Sequence, residues 1–345
     1  MERLYSETPE SVNARALVEN LQRYFVTRLD ALSQIFGSDT PFEAVEWFRD
    51  EGRHGGGVRY EARDDTLYNR ASVNVSQVHY SDLPDKKLDA ATAISAIVHP
   101  ANPHAPSMHM HVSRTQMRDG GGYWRIMADL NPSLPYGEDQ QRFIDALAFV
   151  APHQFDEGAE AGDRYFYIPA LERHRGVAHF YLERYDTGDF DEDYAFAKRF
   201  AEHVIEAYIS IVSDALMRRT EISDEDRVFQ LGYHTLYLFQ VLTLDRGTTA
   251  GLLIHDENDL GIMGSLPSHA DRTLLESWME RMVPPQDALL RAIIDALPDG
   301  EVVEVDAETK LRLAEALRRH YKAHPDALNL QAKSPVAAPT VENHR

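Results

Sequence analysis

Residues 93–132, AISAIVHPANPHAPSMHMHVSRTQMRDGGGYWRIMADLNP, hold the most informative pattern in the chain. The run 93–98 is short, apolar and partly β-branched, which predicts a buried strand. The Asn-Pro and Ala-Pro pairs after it favour an extended reversal, because a residue before proline is kept out of the helical region. Residues 107–113 then predict a second strand that returns beside the first.

Four of the sixteen histidines fall in this predicted hairpin, namely His99, His104, His109 and His111. Side chains alternate across a strand, so His109 and His111 are expected on one face and the methionines at 108 and 110 on the other. If the turn is tight, His99 lies near His109 on the facing strand. Titratable groups therefore gather beside an apolar wall, which makes this hairpin the candidate site.

The string ISAIVHPANPHAPSMHMHV, residues 94–112, resembles the strand–turn–strand signature of the oxygen-dependent coproporphyrinogen III oxidase family. Further matches follow in the family's order over residues 10–285. They are the glycine block 54–57, SVNVS at 72–76, MADLNP at 127–132, YFYI at 165–168 with RG at 175–176, FQL at 229–231, DRGT at 245–248 and SLP at 265–267. Chance is a poor explanation for so many matches in one order.

Predicted strands arrive in adjacent pairs between long helical patterns, which favours an α+β fold with a large, mostly antiparallel sheet flanked by helices. The resemblance implies the same fold. We predict helices over 9–36, 42–48, 139–150, 190–218, 270–283 and 285–297. We predict strands within 58–80 and over 123–130, 164–168, 177–185, 235–244 and 249–255, turns at glycines 55–57 and 245–247, and a loop over 153–163.

The resemblance ends before the last part of the chain. We therefore predict one coproporphyrinogen-oxidase-like domain over residues 1–297. Residues 298–345 are expected to form a polar helix over 306–324 and a disordered tail of about 15 residues.

Composition limits the partners of this 345-residue chain. A formal charge of −21, with 35 basic and 56 acidic residues, opposes binding to nucleic acid or to an anionic membrane surface. The absence of cysteine excludes disulfides, iron–sulfur clusters and thiolate chemistry. No apolar signal core and no run of about 18 apolar residues is present, so we expect a cytoplasmic protein without membrane insertion.

The resemblance implies an activity: oxidative decarboxylation of coproporphyrinogen III to protoporphyrinogen IX in haem biosynthesis. Dioxygen is the implied co-substrate, and no organic cofactor is required. The protein must then supply a proton donor or base, groups that hold carboxylates and an apolar pocket. Histidine suits the first role because its unperturbed pKa lies near neutrality. By resemblance His109 is the proton donor, and Asp129 carries charge next to a pyrrole nitrogen.

The resemblance also implies substrate contacts, and two of the departures from the family's pattern remove arginines. Ser95 and His99 match its substrate-contacting serine and upstream histidine, and the expected contacts further include His111, Arg114 and Arg175. The family's NVR string is His111-Val112-Ser113 here, so its carboxylate-binding arginine is missing, and Arg114 is expected on the other face unless a bulge re-aims it. The candidates to replace it are Arg53, Arg114, Arg125, Arg173 and Arg175.

The second departure replaces the family's GGRTES string by residues 255–259, HDEND. This removes another arginine, and Asp256 and Glu257 would repel a tetracarboxylate. Losing arginines matters because their planar guanidinium binds carboxylates through two parallel hydrogen bonds.

We interpret Asp245-Arg246 as a salt bridge in a hairpin turn.

Two alternatives remain open from the sequence, together with one partner. A divergent family member would bind a tetrapyrrole or another small carboxylate without this activity. A metal-dependent dioxygenase or hydrolase would use His109, His111 and either Asp129 or Glu183, and a divalent metal on His99 and His109 is a related alternative. The resemblance further implies a homodimer through residues 235–255.

Overall fold

The computed structural model describes residues 2–62 and 66–333. The α-helices of that part are α1 (Pro9–Ile35), α2 (Gly137–Val150), α3 (Phe155–Phe166), α4 (Phe190–Arg218), α5 (Asp224–Thr243), α6 (Arg246–Ile254), α7 (Asp259–Ile262), α8 (Arg272–Ser277), α9 (Gln286–Ala296) and α10 (Ala307–Ala323). The strands are β1 (Glu43–Phe48), β2 (Gly55–Glu61), β3 (Tyr68–His79), β4 (Leu88–Pro100), β5 (Ser107–Met117), β6 (Gly122–Asn131), β7 (Tyr167–Ile168), β8 (Arg173–His174), β9 (Ala178–Tyr185), β10 (His269–Asp271) and β11 (Val302–Glu304).

Seven strands form one antiparallel sheet in the order β1-β2-β3-β4-β5-β6-β9. Each strand follows its neighbour along the chain except β9, which reaches β6 after α2 and α3. The strands of the central hairpin, β4 and β5, pair over ten positions from Leu88↔Met117 to Val98↔Met108. The predicted α+β class with a mostly antiparallel sheet is confirmed.

The sheet separates two cores. On one face, Ile94, Val98, Met108 and Val112 are fully buried in a first core that also contains the apolar stripes of α1 and α4. On the other face, Ile97, Met127 and Tyr181 belong to a second core with α5, α9 and α10. The alternation of side chains along β4 to β6 therefore decides which residues face which layer.

The segment predicted as the short helix 42–48 is wrong, because it is the edge strand β1. It pairs with β2 so that Trp47 lies opposite Gly57 and Phe48 opposite Gly56. The glycines at 55–57 are accordingly part of a strand and not of a turn. A Cβ atom on Gly57 would lie 1.9 Å from the carbonyl oxygen of Val75, so this position requires glycine for close strand approach.

The predicted hairpin over 235–255 is also wrong, because both halves are helical. Helix α5 begins at a capping box between Ser223 and Asp226, and Asp245 caps α6 by accepting a hydrogen bond from the Thr248 amide at 2.6 Å. Every side chain over 233–243 is buried. A helix that is apolar on all sides loses its 3.6-residue periodicity, which makes it indistinguishable from a buried strand.

A third error concerns residues 153–168, where α3 replaces the predicted loop and most of the predicted strand. The sequence predicts a loop over 153–163 because this segment contains two glycines, Gly158 and Gly162. Their actual role is packing: a Cβ atom on Gly158 would lie 2.4 Å from the Phe180 ring, and one on Gly162 would lie 2.8 Å from the His179 Cβ atom. The two glycines let α3 approach β9 closely.

The polar helix predicted near residue 306 is present as α10, with Asp306 as its N-cap. Its residues Leu313, Leu317 and Tyr321 are buried in the second core, which therefore continues past residue 298. The division into two parts stays a prediction, and nearly all of the predicted disordered tail lies outside the described residues. None of the described helices combines the length and the apolar composition needed to cross a membrane.

Candidate active site

A cavity of about 320 Å³ lies between the second-core face of the sheet and helices α5 and α6. Small or polar side chains from β3 and β4 form much of its floor: Ser72, Asn74, Ser76, Ala91, Ala93 and Ser95. Tyr237 and Val241 of α5 and Gly247 and Gly251 of α6 contribute to the opposite wall. The volume lies at the lower end of the range of about 300–1,000 Å³ for small-molecule sites.

The strand register brings several of the predicted site residues together. His109 of β5 lies between Ile97 of β4 and Asp129 of β6, and His111 pairs with Ser95. Paired residues on neighbouring strands share a face of the sheet. His109 and His111 accordingly line the cavity, as the alternation predicted, whereas Met108 and Met110 are buried in the first core.

A hydrogen-bonded chain links His109 to the protein interior. Its Nδ1 atom lies 3.0 Å from Oδ1 of Asp129, and Oδ2 of that carboxylate accepts hydrogen bonds from Arg175 at 2.7 Å and Asn131 at 2.6 Å. Asp129 is fully buried, while the His109 side chain keeps 18% of its surface exposed. The imidazole is thus held from behind and open towards the cavity.

The charge on Asp129 is stabilised by its partners. Burial alone would raise the pKa of this carboxyl, but the Arg175 guanidinium and then His109 outweigh it and lower the pKa to about 2. Asp129 is therefore a carboxylate at neutral pH, able to orient the His109 ring and to stabilise positive charge on it.

Arg175 lines the cavity, but its guanidinium already contacts a carboxylate and two aromatic rings of the protein. Its Cζ atom lies 4.5 Å from the ring centroid of Phe166 and 4.8 Å from that of Tyr237. The side chain is only 3% exposed and is paired with Asp129. Its geometry is that of a group that positions the aspartate.

His111 lies in the cavity as a neutral ring. Its Nε2 atom is 3.0 Å from Oγ of Ser113. Burial, followed by the charges of His109 and Arg125, lowers the pKa of His111 to about 3. At neutral pH this imidazole contributes hydrogen bonding without charge.

Further polar side chains line the far end of the cavity. Arg246 donates a hydrogen bond to Glu183, and Tyr165 donates one to Asp245 at 2.9 Å. Burial raises the pKa of Glu183, and the charges of Arg246 and Arg125 oppose that rise. The sequence interpretation missed Arg246 because it assigned this residue to a hairpin turn, although the DRGT match had already singled it out.

Comparison with known proteins identifies the family of the chain. Residues 13–281 match the sequence model of the coproporphyrinogen III oxidase family. The chain belongs to this family. Two similar proteins, from Rattus norvegicus and Mus musculus, are each named "Oxygen-dependent coproporphyrinogen-III oxidase, mitochondrial" and are each 27% identical to the chain. The matches cover 77% of this chain and 63% of each relative, so the chain spans less than two thirds of those relatives.

Two residues matched to the family's substrate contacts, or expected beside them, lie away from the cavity. His99 is fully buried, with Nδ1 at 2.9 Å from Oγ of Ser107 and Nε2 at 3.3 Å from the carbonyl oxygen of Ser265. Arg114 lies on the opposite face of the sheet, where it donates a hydrogen bond to Glu10 at 2.7 Å. No bulge re-aims Arg114, because the β5–β6 register is regular at that position.

Of the remaining candidate arginines and acids, some line the cavity and others lie outside it. Arg125 lines the cavity, whereas Arg53 is exposed and bridges to Asp82 at 2.6 Å, and Arg173 is exposed on β8. Glu257, which was expected to repel a polyanion, accepts a hydrogen bond from the Asp50 amide at 3.1 Å and does not line the cavity. The side chain of Asp256 lies outside the described part of the structure.

The metal alternative predicted converging ligands at this site. Across residues 2–62 and 66–333, no three histidine or carboxylate side chains are arranged so that they could hold one ion. Both ring nitrogens of His99 already have partners, and Nδ1 of His109 faces Asp129. The donor atoms of this cavity therefore do not form the two-histidine, one-carboxylate arrangement.

Proposed function

We propose that the chain is an enzyme that converts coproporphyrinogen III to protoporphyrinogen IX by oxygen-dependent oxidative decarboxylation in porphyrin biosynthesis. The observation that carries the proposal is that His109, in the wall of the cavity, is hydrogen-bonded to the buried Asp129 behind it. Membership of the family and the printed names of the two relatives support it.

The reaction needs a two-electron acceptor for each propionate. Each propionate side chain loses its carboxylate as carbon dioxide and releases one further proton and two electrons, which leaves a vinyl group. Dioxygen takes up these two electrons and two protons and becomes hydrogen peroxide. The protein must move protons and hold the macrocycle, while the electrons come from the substrate.

His109 is suited to the proton transfer. Because Nδ1 faces the buried Asp129 carboxylate, Nε2 is the nitrogen left to meet a substrate in the cavity. The carboxylate fixes the ring orientation and stabilises the imidazolium that forms when the ring accepts a proton. The small floor residues leave room for pyrrole rings of the macrocycle to approach the sheet.

Turnover of the reduced tetrapyrrole tests the proposal. Anaerobically prepared coproporphyrinogen III is mixed with the protein, air is admitted, and protoporphyrin fluorescence and released carbon dioxide are followed. We expect two molecules of carbon dioxide for each protoporphyrinogen formed. Saturable porphyrin binding without product would contradict the activity and support the alternative of a tetrapyrrole-binding relative.

We also propose a homodimer and a cytoplasmic location. Residues 235–244 cannot supply the first half of the expected interface, because they are buried in the second core of the single chain. Sedimentation would test dimerisation, and cell fractionation would test the location against the mitochondrial naming of the two relatives.

A further inference from the structure

The far end of the cavity contains an arginine that forms no salt bridge with a described carboxylate, although its charge acts on the neighbouring Glu183. Of the three arginines that line the cavity, Arg175 is paired with Asp129 and Arg246 with Glu183. Arg125 has no paired carboxylate among the described residues. A cation in a partly enclosed cavity of a chain with a formal charge of −21 points to an anionic ligand.

Arg125 is held in place by its surroundings. Its Cζ atom lies 5.4 Å from the ring centroid of Tyr123, and Nη2 makes a long hydrogen bond of 3.4 Å to the Oη atom of that residue. The Nε atom is buried and has no hydrogen-bond partner among the described residues. Because Nε is shielded, the terminal nitrogens of the guanidinium are the donors that remain for a ligand, and a carboxylate is the acceptor that suits them.

An irregularity in the sheet accompanies this position. Trp124 pairs with Tyr185 and Ile126 pairs with Leu182, so two residues of β9, Glu183 and Arg184, lie opposite Arg125. This β-bulge leaves Glu183 in the cavity wall and Arg184 exposed to solvent. Bulges of this kind commonly re-aim side chains beside active sites.

The register links Arg125 to the position where the family's arginine is missing. Arg125 of β6 is the direct partner of Ser113 of β5, and both residues line the cavity. Directly opposed residues have Cβ atoms about 4.5–5.5 Å apart, which is less than the length of an arginine side chain. The guanidinium of Arg125 can therefore reach the space that the side chain of an arginine at position 113 would occupy.

We infer that Arg125 is a specificity-determining residue that binds a carboxylate of the substrate, in place of the arginine absent at Ser113. The identity of that substrate as a porphyrinogen propionate rests on the proposed function. Arg246 and Glu183 form the adjacent wall, and the neutral His111 offers a further hydrogen bond beside them.

The test is a binding titration with coproporphyrin III, the stable oxidised tetracarboxylate, against wild type, Arg125→Gln, Arg125→Lys and Arg184→Gln. Arg184→Gln is the matched control, because Arg184 stacks on the same Tyr123 ring at 5.5 Å but is exposed outside the cavity. We expect Arg125→Gln to raise Kd about 10- to 100-fold, with Arg125→Lys between it and wild type and Arg184→Gln within about twofold of wild type.

Equal affinity of Arg125→Gln and wild type would overturn the inference, and so would failure of the wild type to bind the porphyrin. If Arg125→Gln unfolds, Arg125→Lys decides, since unchanged affinity and unchanged KM in that variant contradict a guanidinium–carboxylate contact. The titration is independent of turnover. Weakened binding in Arg125→Gln alongside an inactive wild type would therefore reject the proposed activity and retain the carboxylate site.

Discussion

The Asp129 carboxylate stands between two functional side chains: Oδ1 lies 3.0 Å from Nδ1 of His109, and Oδ2 accepts a hydrogen bond from Arg175 at 2.7 Å. Because Arg175 is clamped between two aromatic rings, it fixes the carboxylate, and the carboxylate in turn fixes the imidazole. This series of contacts therefore fixes the orientation of His109 in the cavity wall through residues that are buried behind it. A reacting group held in this way needs no reorganisation when substrate arrives.

Replacing His109 tests its role as proton donor or acceptor. We expect His109→Gln to lower kcat by about 10²- to 10⁴-fold, the usual contribution of a positioned acid–base group, while coproporphyrin III binding changes little. His153→Gln is the control, since His153 is exposed outside the cavity. Normal turnover by His109→Gln would remove this residue from the mechanism.

Asp129→Asn is expected to change stability in a pH-dependent manner. The folded-state pKa of Asp129 is depressed from 3.8 to about 2, so its carboxylate stabilises the fold above pH 4 by about 2 kcal/mol, and this contribution is lost as pH falls from about 4 to about 2. The Arg175 charge is the main cause of the depressed pKa, so the substitution breaks the same interaction, and removing one partner of a buried pair costs about 3–5 kcal/mol in all at neutral pH.

Urea unfolding at pH 7 and pH 3 measures this effect. The difference between wild type and Asp129→Asn should shrink at the lower pH, because the wild-type carboxylate then contributes less. Asp39→Asn, at an exposed site, should unfold as wild type does at both pH values. A wild-type advantage that grows on acidification would contradict the depressed pKa.

The sequence predicted the central sheet and one side of the site well. Alternation along β5 placed His109 and His111 on one face because a two-residue period is a local property of a strand. Arg114 was expected on the opposite face by the same argument, and it lies there. Where a pattern is local and periodic, the sequence alone was sufficient.

The far end of the cavity could not be predicted in that way. Glu183 and Arg246 meet through a bulge in β9 and through the start of α6, and α6 had been predicted as a strand. The run 233–243 is buried on all sides, so its composition contains no periodic signal. These contacts depend on how distant elements pack, which the local pattern does not record.

Gly57 tests the close approach of β1, β2 and β3. A Cβ atom there would lie 1.9 Å from the Val75 carbonyl oxygen and 2.7 Å from Nε1 of Trp47, so Gly57→Ala should lower the melting temperature strongly or prevent folding. Gly137→Ala is the matched control, because no atom lies within 4 Å of its added Cβ. Equal thermal stability of the two variants would contradict the close backbone contact.

Truncation before α10 tests whether residues beyond 298 belong to the folded body. A chain ending at residue 305 loses Leu313, Leu317 and Tyr321 from the second core, each worth about 1.5–3 kcal/mol when buried. It also loses the contact at 3.0 Å between His320 and Gln286 of α9. The loss approaches the whole stability of a typical domain, about 5–15 kcal/mol, so this chain should aggregate or unfold without cooperativity.

A chain ending at residue 333 keeps every described contact and should be markedly more stable. If both chains unfold cooperatively at the same temperature, α10 does not contribute to the stability of the second core. The predicted domain boundary at residue 298 would then be correct.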